Sequence, residues 1–357
     1  MKRNTKLTAL FLALTMMVGL LAGCGGKKEE APAAKEETKT EAPAATEKTE
    51  EKTTLMDKPM TFKVCITENP DTIMGTEIPV ALAAITERTN GEINFEFCPS
   101  AQLGSNPEVM EQLINGAPVI TAAGFDNMSA FVEACNAACV PYVFETIEEI
   151  FKFAETDLWT SMKADIVAAG YQPIALGSWG LRCFISTNPI TCADDIKGQI
   201  VRMGNSAASQ NFATVMGGTP ATSAWADNYS LLQSGAIDAC EAPVDLLYSS
   251  SLYEVCDYLC ISNHLATPGM FVISPAFWEQ IPAEYQAIME EEFTTALEKV
   301  ADGYIASQGD YVAKFKEAGT TVCEDPDIAS FAAYLPELFE VIGADPAEYT
   351  AIREALK

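Results

Sequence analysis

Apolar and polar residues alternate over residues 61–66, the period of two expected of a half-buried strand. Over residues 76–89 the period lengthens to three and four, and Asn90-Gly91 supplies a C-terminal cap, so this stretch reads as a helix. Residues 92–97 read as a second strand. Asn106 before Pro107 has the form of an N-cap followed by proline at the first helical position. The helix so opened should end at Asn115-Gly116, ahead of an apolar strand over residues 119–123. Strands alternating with helices in this way imply parallel pairing. The expectation is an open α/β sheet covered by helices, with ligands beyond the C-terminal ends of its strands.

Farther along, Tyr285, Ile288, Met289, Phe293, Ala296, Leu297, Val300 and Tyr304 recur at three and four within residues 282–318. A single helix of this length would extend about 55 Å at about 1.5 Å per residue, longer than one small domain, and so should lie along two. Gly303 and Gly309 could bend it and Gly319 ends it; two ordinary helices broken near Gly303 are the alternative. No internal repeat is present at a fixed period.

The N-terminus carries an address. Lys2, Arg3 and Lys6 precede an uncharged apolar run over residues 7–21 that ends in Leu21-Ala22-Gly23-Cys24. Such a run is short for a hydrocarbon core of roughly 30 Å, so a cleaved secretory signal over residues 1–23 is the better reading than a permanent span. Its ending resembles the lipobox of bacterial lipoproteins, which implies that Cys24 becomes the lipidated first residue and anchors the protein to the outside of the cell membrane. An ordinary signal with a free Cys24 is the alternative. Residues 24–60 are mostly Gly, Lys, Glu, Ala, Pro and Thr, a composition that cannot offset chain entropy, and they read as a disordered tether.

The 357 residues suffice for about two domains, and 48% apolar residues can fill a sizeable core. The formal charge of −28 repels phosphate backbones, so nucleic acid is excluded as a partner. Ten cysteines follow Cys24, none in a CxxC pair. They read as buried small hydrophobes, with disulfides as the alternative in an exported protein. Cys135 and Cys139, like Cys256 and Cys260, have the spacing of one helix face.

His264 is the only histidine, which makes a zinc site improbable and leaves one candidate base for a Ser or Cys nucleophile. Gly177-Ser178-Trp179-Gly180 and Gly217-Gly218 lack the spacing and the lysine of a phosphate-binding loop. No cofactor or metal is expected. What stands out is positive charge among apolar neighbours in an acidic chain: Arg182 within Trp179-Gly180-Leu181-Arg182-Cys183-Phe184, and Arg202 at the end of the apolar stretch Ile200-Val201. A guanidinium can grip a carboxylate through two parallel charge-assisted hydrogen bonds, which a lysine cannot copy. Composition alone favours a structural ion pair with one of the many internal acids.

At these residues the sequence resembles the solute-binding subunits of tripartite ATP-independent periplasmic (TRAP) transporters. The likeness is carried by Thr89-Asn90-Gly91-Glu92-Ile93, Pro99-Ser100-Ala101-Gln102-Leu103-Gly104 and Pro141-Tyr142-Val143-Phe144. It continues through Gly180-Leu181-Arg182, Lys197-Gly198 with Arg202 four beyond, Asp227-Asn228-Tyr229 and Glu241-Ala242-Pro243. The resemblance implies a two-lobed α/β fold like that of periplasmic binding proteins, with crossing hinge strands and a long helix spanning both lobes. Residues 61–178 with about 268–307 would form one lobe, and residues 179–267 with about 308–357 the other.

It also implies roles. Arg202 takes the place of the arginine that grips the ligand carboxylate, Arg182 that of a second contact, and Trp225 that of an aromatic against the ligand body. Thr67, Glu68, Asn69, Asn106, Gly124 and Phe125 would line the cleft from the opposite lobe. Ala242 stands where many members carry an asparagine, and Gly124 where sialic-acid receptors carry an acidic group. Trp179 and Trp225 together suggest a bulky or partly apolar acid. The function implied is that of an extracytoplasmic receptor, not an enzyme, that closes on a small organic acid and delivers it to the TRAP membrane permease. The membrane is met through the lipid on Cys24 only, and no nucleotide is needed. A receptor for an ATP-driven importer, an exported hydrolase and a sensory receptor are the alternatives.

Overall fold

The first strand, β1 (Met60–Cys65), opens the sheet in a computed structural model that describes residues 54–357 of the chain. The leader, Cys24 and nearly all of the tether lie outside the described residues. β2 (Ile93–Cys98) and β3 (Val119–Gly124) both pair with β1 in parallel, as the strand and helix alternation requires. A second parallel set follows, in which β5 (Ile200–Arg202) pairs with β6 (Thr219–Ala221) and with β7 (Ala239–Pro243).

Two long strands join the sets. β4 (Gln172–Ser186) has 15 residues and β8 (Tyr258–Ile273) has 16, and they pair antiparallel along most of their length. β8 meets β3 at one end and the short β9 (Thr321–Cys323) at the other, whereas the last residues of β4 pair with β7. The nine strands thus form one sheet in the order β2-β1-β3-β8-β4-β7-β5-β6, with β9 beside β8. At about 3.3 Å per residue each long strand spans both halves, which are the two lobes, and its register shifts near Ser178 and Arg182 interrupt the ladder between them.

The helix read over residues 76–89 runs from Ile73 to Arg88, because Thr72 caps it by accepting from the Gly75 N–H at 3.1 Å. Gly75 and the internal Pro79 are poor helix formers that hide this first turn in the sequence. The next helix, Asn106–Ile114, is capped by Ser105 rather than Asn106: the Glu108 carboxylate accepts from the Ser105 N–H at 2.7 Å in a capping box. That leaves the Asn106 side chain free for other work.

Helix Ala283–Glu317 is continuous over 35 residues, so the alternative of two helices broken near Gly303 is set aside. Its Phe293, Leu297 and Val300 pack with Phe62, Ile78 and Ile85 in the first core. Its Phe315 packs with Leu247, Leu252 and Leu259 in another. One helix therefore ties together the apolar cores of both halves, which is the arrangement its length implied.

All ten cysteines among the described residues are free thiols, eight of them buried. Cys135 and Cys139 share the short 3-10 helix Glu133–Cys139, but Cys256 precedes β8 and Cys260 lies within it, so that pair is not on a helix. Burial pushes the Cys135 and Cys183 thiols up to about 12, which keeps them protonated and unreactive. No described helix is long and apolar enough to cross a membrane.

Candidate functional site

A cleft of about 900 Å³ opens at the C-terminal ends of the parallel strands, where both halves contribute loops. Thr67 and Asn69 follow β1, Ser100, Ala101 and Gly104 to Glu108 follow β2, and Asp126 and Asn127 follow β3. From the other half come Arg202 and Asn205 at the end of β5, Thr222 to Trp225 after β6, and Leu246, Ser250 and Leu252 farther on.

Arg202 is the one cation among the lining residues. It is only 8% exposed, and none of the ion pairs among the described residues includes it. Its guanidinium carbon lies 5.5 Å from the centre of the Trp225 ring, and Nη2 donates to the Ser223 carbonyl at 3.3 Å. Nε is buried without a partner. The indole is held in turn by its Nε1–H, which donates to Ser250 Oγ at 3.0 Å. A guanidinium stacked on an aromatic face, with donors unspent and no internal acid, has the chemistry to accept an anion.

Polar groups of the first half line the same cleft as this arginine. Thr67 Oγ1 donates to Asn106 Oδ1 at 3.3 Å, and Ser100 Oγ donates to Asn69 Oδ1 at 2.9 Å. The halves touch at the rim, where Asn205 Nδ2 donates to Asn127 Oδ1 at 2.9 Å.

Arg182 is placed differently, and its expected part as a second ligand contact is corrected. Its Nε and Nη2 grip both carboxylate oxygens of Glu241, the latter at 2.8 Å, and Nη2 also donates to the Glu241 carbonyl at 2.9 Å. The pair is buried between β4 and β7, and neither residue is among those lining the cleft. Burial opposes the charge on Glu241, but the guanidinium beside it prevails and holds the carboxyl at about 2. Here the internal acid that composition left open is found.

His264 completes this network. Its Nε2 lies 3.5 Å from Glu241, and Nδ1 is 2.8 Å from Ser262 Oγ. Burial pulls the imidazole below its ordinary range, so it is neutral near pH 7 and the contact with Glu241 is not an ion pair. Ser262, His264 and Glu241 have the residue types of a hydrolytic triad, yet Ser262 is fully buried and the ring stacks on Phe184 with centroids 4.5 Å apart. No substrate reaches that hydroxyl, which removes the footing for a histidine-assisted nucleophile.

Five further residues expected in the cleft do not line it. Trp179 packs edge-on against Phe271 and lies so close over Gly269 that a Cβ there would meet its ring at 2.2 Å. Phe125 is fully buried and stacks on Trp159. Gly124 sits under the Asp126 carboxylate, and Ala242 lies within β7 opposite Cys183. Glu68 is buried with Oε2 unpartnered, and that burial raises its carboxyl. The side chains of Trp179, Phe125, Ala242 and Glu68 are all buried, so they serve packing and not the opening. The sequence reading in turn passed over Asp126, Asn127 and Asn205, although each lies within three residues of a strand end.

A model of the family described as bacterial extracellular solute-binding protein, family 7, matches residues 66–343. A sialic acid-binding periplasmic protein of Vibrio cholerae serotype O1 is 27% identical over 262 residues, covering 72% of this chain and 80% of that protein. A C4-dicarboxylate-binding periplasmic protein of Rhodobacter capsulatus is 24% identical over 266 residues, covering 74% and 80%. Among solved structures, a TRAP periplasmic solute-binding protein from Ochrobacterium anthropi with bound L-fuconate superposes with a TM-score of 0.79 at 24% identity. It covers 84% of this chain and 100% of that one.

Proposed function

This chain belongs to family 7 of the bacterial extracellular solute-binding proteins, the receptors of TRAP transporters, and we propose that its Arg202 captures the carboxylate of a small organic acid in the cleft. The observation that carries the reading is the unpaired, stacked guanidinium of Arg202 between the two halves of a chain with formal charge −28. In so acidic a protein a buried arginine without an acid is costly unless a ligand supplies the anion.

Ligand contacts from both sides then favour the closed arrangement, since a ligand shifts an opening equilibrium only by its different affinity for the two states. Trp225 covers the ligand body, while Thr67, Asn69 and Asn106 meet its polar groups. The lobes are those bounded by residues 61–178 with about 268–307 and residues 179–267 with about 308–357, hinged on β4 and β8. Closed receptor hands the acid to the membrane permease, chemically unchanged. Cys24, lipidated after removal of residues 1–23, tethers the receptor to the outer face of the membrane.

Thermal-shift screening of the protein against an organic-acid library tests this reading. A ligand at 100 times its dissociation constant stabilises by about 2.7 kcal/mol, a rise of several degrees in melting temperature. A library in which no carboxylic acid raises the melting temperature would remove the proposal.

A further inference from the structure

We infer that the captured acid carries a single carboxylate and a far end rich in hydrogen-bond donors, hydroxyl or ammonium, received by Asp126, and that dicarboxylates are rejected. This rests on the reading of Arg202 as the carboxylate grip. The cleft lining contains one cation, Arg202, against two carboxylates, Glu108 and Asp126, with no lysine or histidine. Glu108 is already engaged, since its Oε2 accepts from both the N–H and the hydroxyl of Ser105. Those bonds hold its carboxyl below the usual range.

Asp126 is not engaged in that way. Its side chain accepts from Asn127 Nδ2 at 3.2 Å and joins none of the ion pairs among the described residues. Arg182 is within electrostatic reach of it, but that guanidinium directs its bonds at Glu241. The carboxylate lies between the backbones of Gly124, which has no room for a side chain beneath it, and Gly204. A Cβ at Gly124 would lie 2.4 Å from Asp126 Oδ1, and one at Gly204 would lie 3.4 Å from Oδ2. Gly204 stands two residues beyond Arg202, so an acid from the first half reaches the loop that carries the grip in the second.

A ligand with one carboxylate on Arg202 then meets a fixed anion a short way off. A hydroxyl or ammonium there gains a charge-assisted hydrogen bond. A second carboxylate would be desolvated beside Asp126 with no further cation in the lining to balance it. The amide oxygens of Asn69 and Asn106 already accept from Ser100 and Thr67, so their Nδ2 groups remain to donate to oxygen atoms along the ligand body.

Calorimetry on the purified full chain with four six-carbon probes separates these cases: gluconate, glucarate, hexanoate and 6-aminohexanoate. Gluconate or 6-aminohexanoate, whichever donor Asp126 receives, should bind at least tenfold more tightly than hexanoate and than glucarate. Asp126→Asn should erase that preference, weakening the favoured probe about tenfold and improving glucarate, with Asp126→Ser as a second variant should the amide disturb Gly124. Unchanged melting of the ligand-free variants shows that the fold is intact. Glucarate binding as tightly as gluconate and 6-aminohexanoate, or ratios untouched by both variants, overturns the inference while leaving the grip of Arg202 in place. If no probe and no other carboxylic acid binds, the reading of Arg202 falls and this inference with it.

Discussion

Gly204 donates its backbone N–H to Glu241 Oε1 at 2.7 Å, so the carboxylate that neutralises Arg182 also fixes the loop immediately after Arg202. The buried ion pair is thereby coupled to Arg202, although neither of its own residues lines the cleft. Glu241→Gln removes the charge and leaves a buried guanidinium uncompensated, a change that costs about 3–5 kcal/mol when one partner of such a pair is lost. Denaturant unfolding should show a loss of that order, and ligand affinity should fall as the loop loosens. An unaltered unfolding midpoint would show that the network holds nothing together.

The same network sets an acid limit. Glu241 has its folded-state pKa depressed to about 2, so it contributes stability that is present above its unfolded value near 4.5 and is lost as pH falls toward 2. Its share is on the order of 3 kcal/mol. Asp245 acts with the opposite sign. Burial first, and then the nearby Glu68 carboxyl, raise it to about 7, so stability declines as pH rises from about 4 to 7. Asp245→Asn is expected to flatten that decline, raising the unfolding midpoint at pH 8 while leaving it nearly unchanged at pH 4. Equal effects at both pH values would show that Asp245 does not titrate in this window.

Much of this fold was legible because its signals are local. Strand alternation, the caps at Asn90-Gly91 and Asn115-Gly116, and the apolar stripe from Tyr285 to Tyr304 each lie within one stretch of chain. The two arginines show where locality ends. Arg182 and Arg202 both sit among apolar neighbours, and what separates them is Glu241, 59 residues from Arg182 and brought beside it only by the pairing of β4 with β7. No pattern near either residue reports that contact. Trp179 was unreadable for a similar reason, since its place in the core depends on the bare backbone at Gly269 across the sheet. Asp126 and Asn205 were within reach, because ligand groups gather just past the C-terminal ends of parallel strands.

Arg202→Lys keeps the positive charge and removes the planar fork and its stacking on Trp225. Affinity for the acid that raises the melting temperature most should fall by more than tenfold. The ligand-free melting temperature should barely change, because Arg202 pairs with no internal acid whose loss would be felt. Calorimetry checks the first expectation and thermal denaturation the second. Equal affinity of the lysine variant would take Arg202 out of the site.

The rim contact between Asn205 and Asn127 is a direct side-chain hydrogen bond between the halves. Such a bond favours the arrangement in which the halves meet over one in which they part. A neutral hydrogen bond of this kind contributes about 0.5–1.5 kcal/mol, which corresponds to a change of roughly two- to tenfold in the population of the binding-competent state. Asn127→Ala and Asn205→Ala should each weaken ligand binding by about that factor, and the double variant should be little worse than either alone. Small-angle scattering of the ligand-free variants should give a larger radius of gyration than the parent chain. Strict additivity in the double-mutant cycle, with no expansion, would mean that the two amides act independently and that closure is governed by the hinge strands alone.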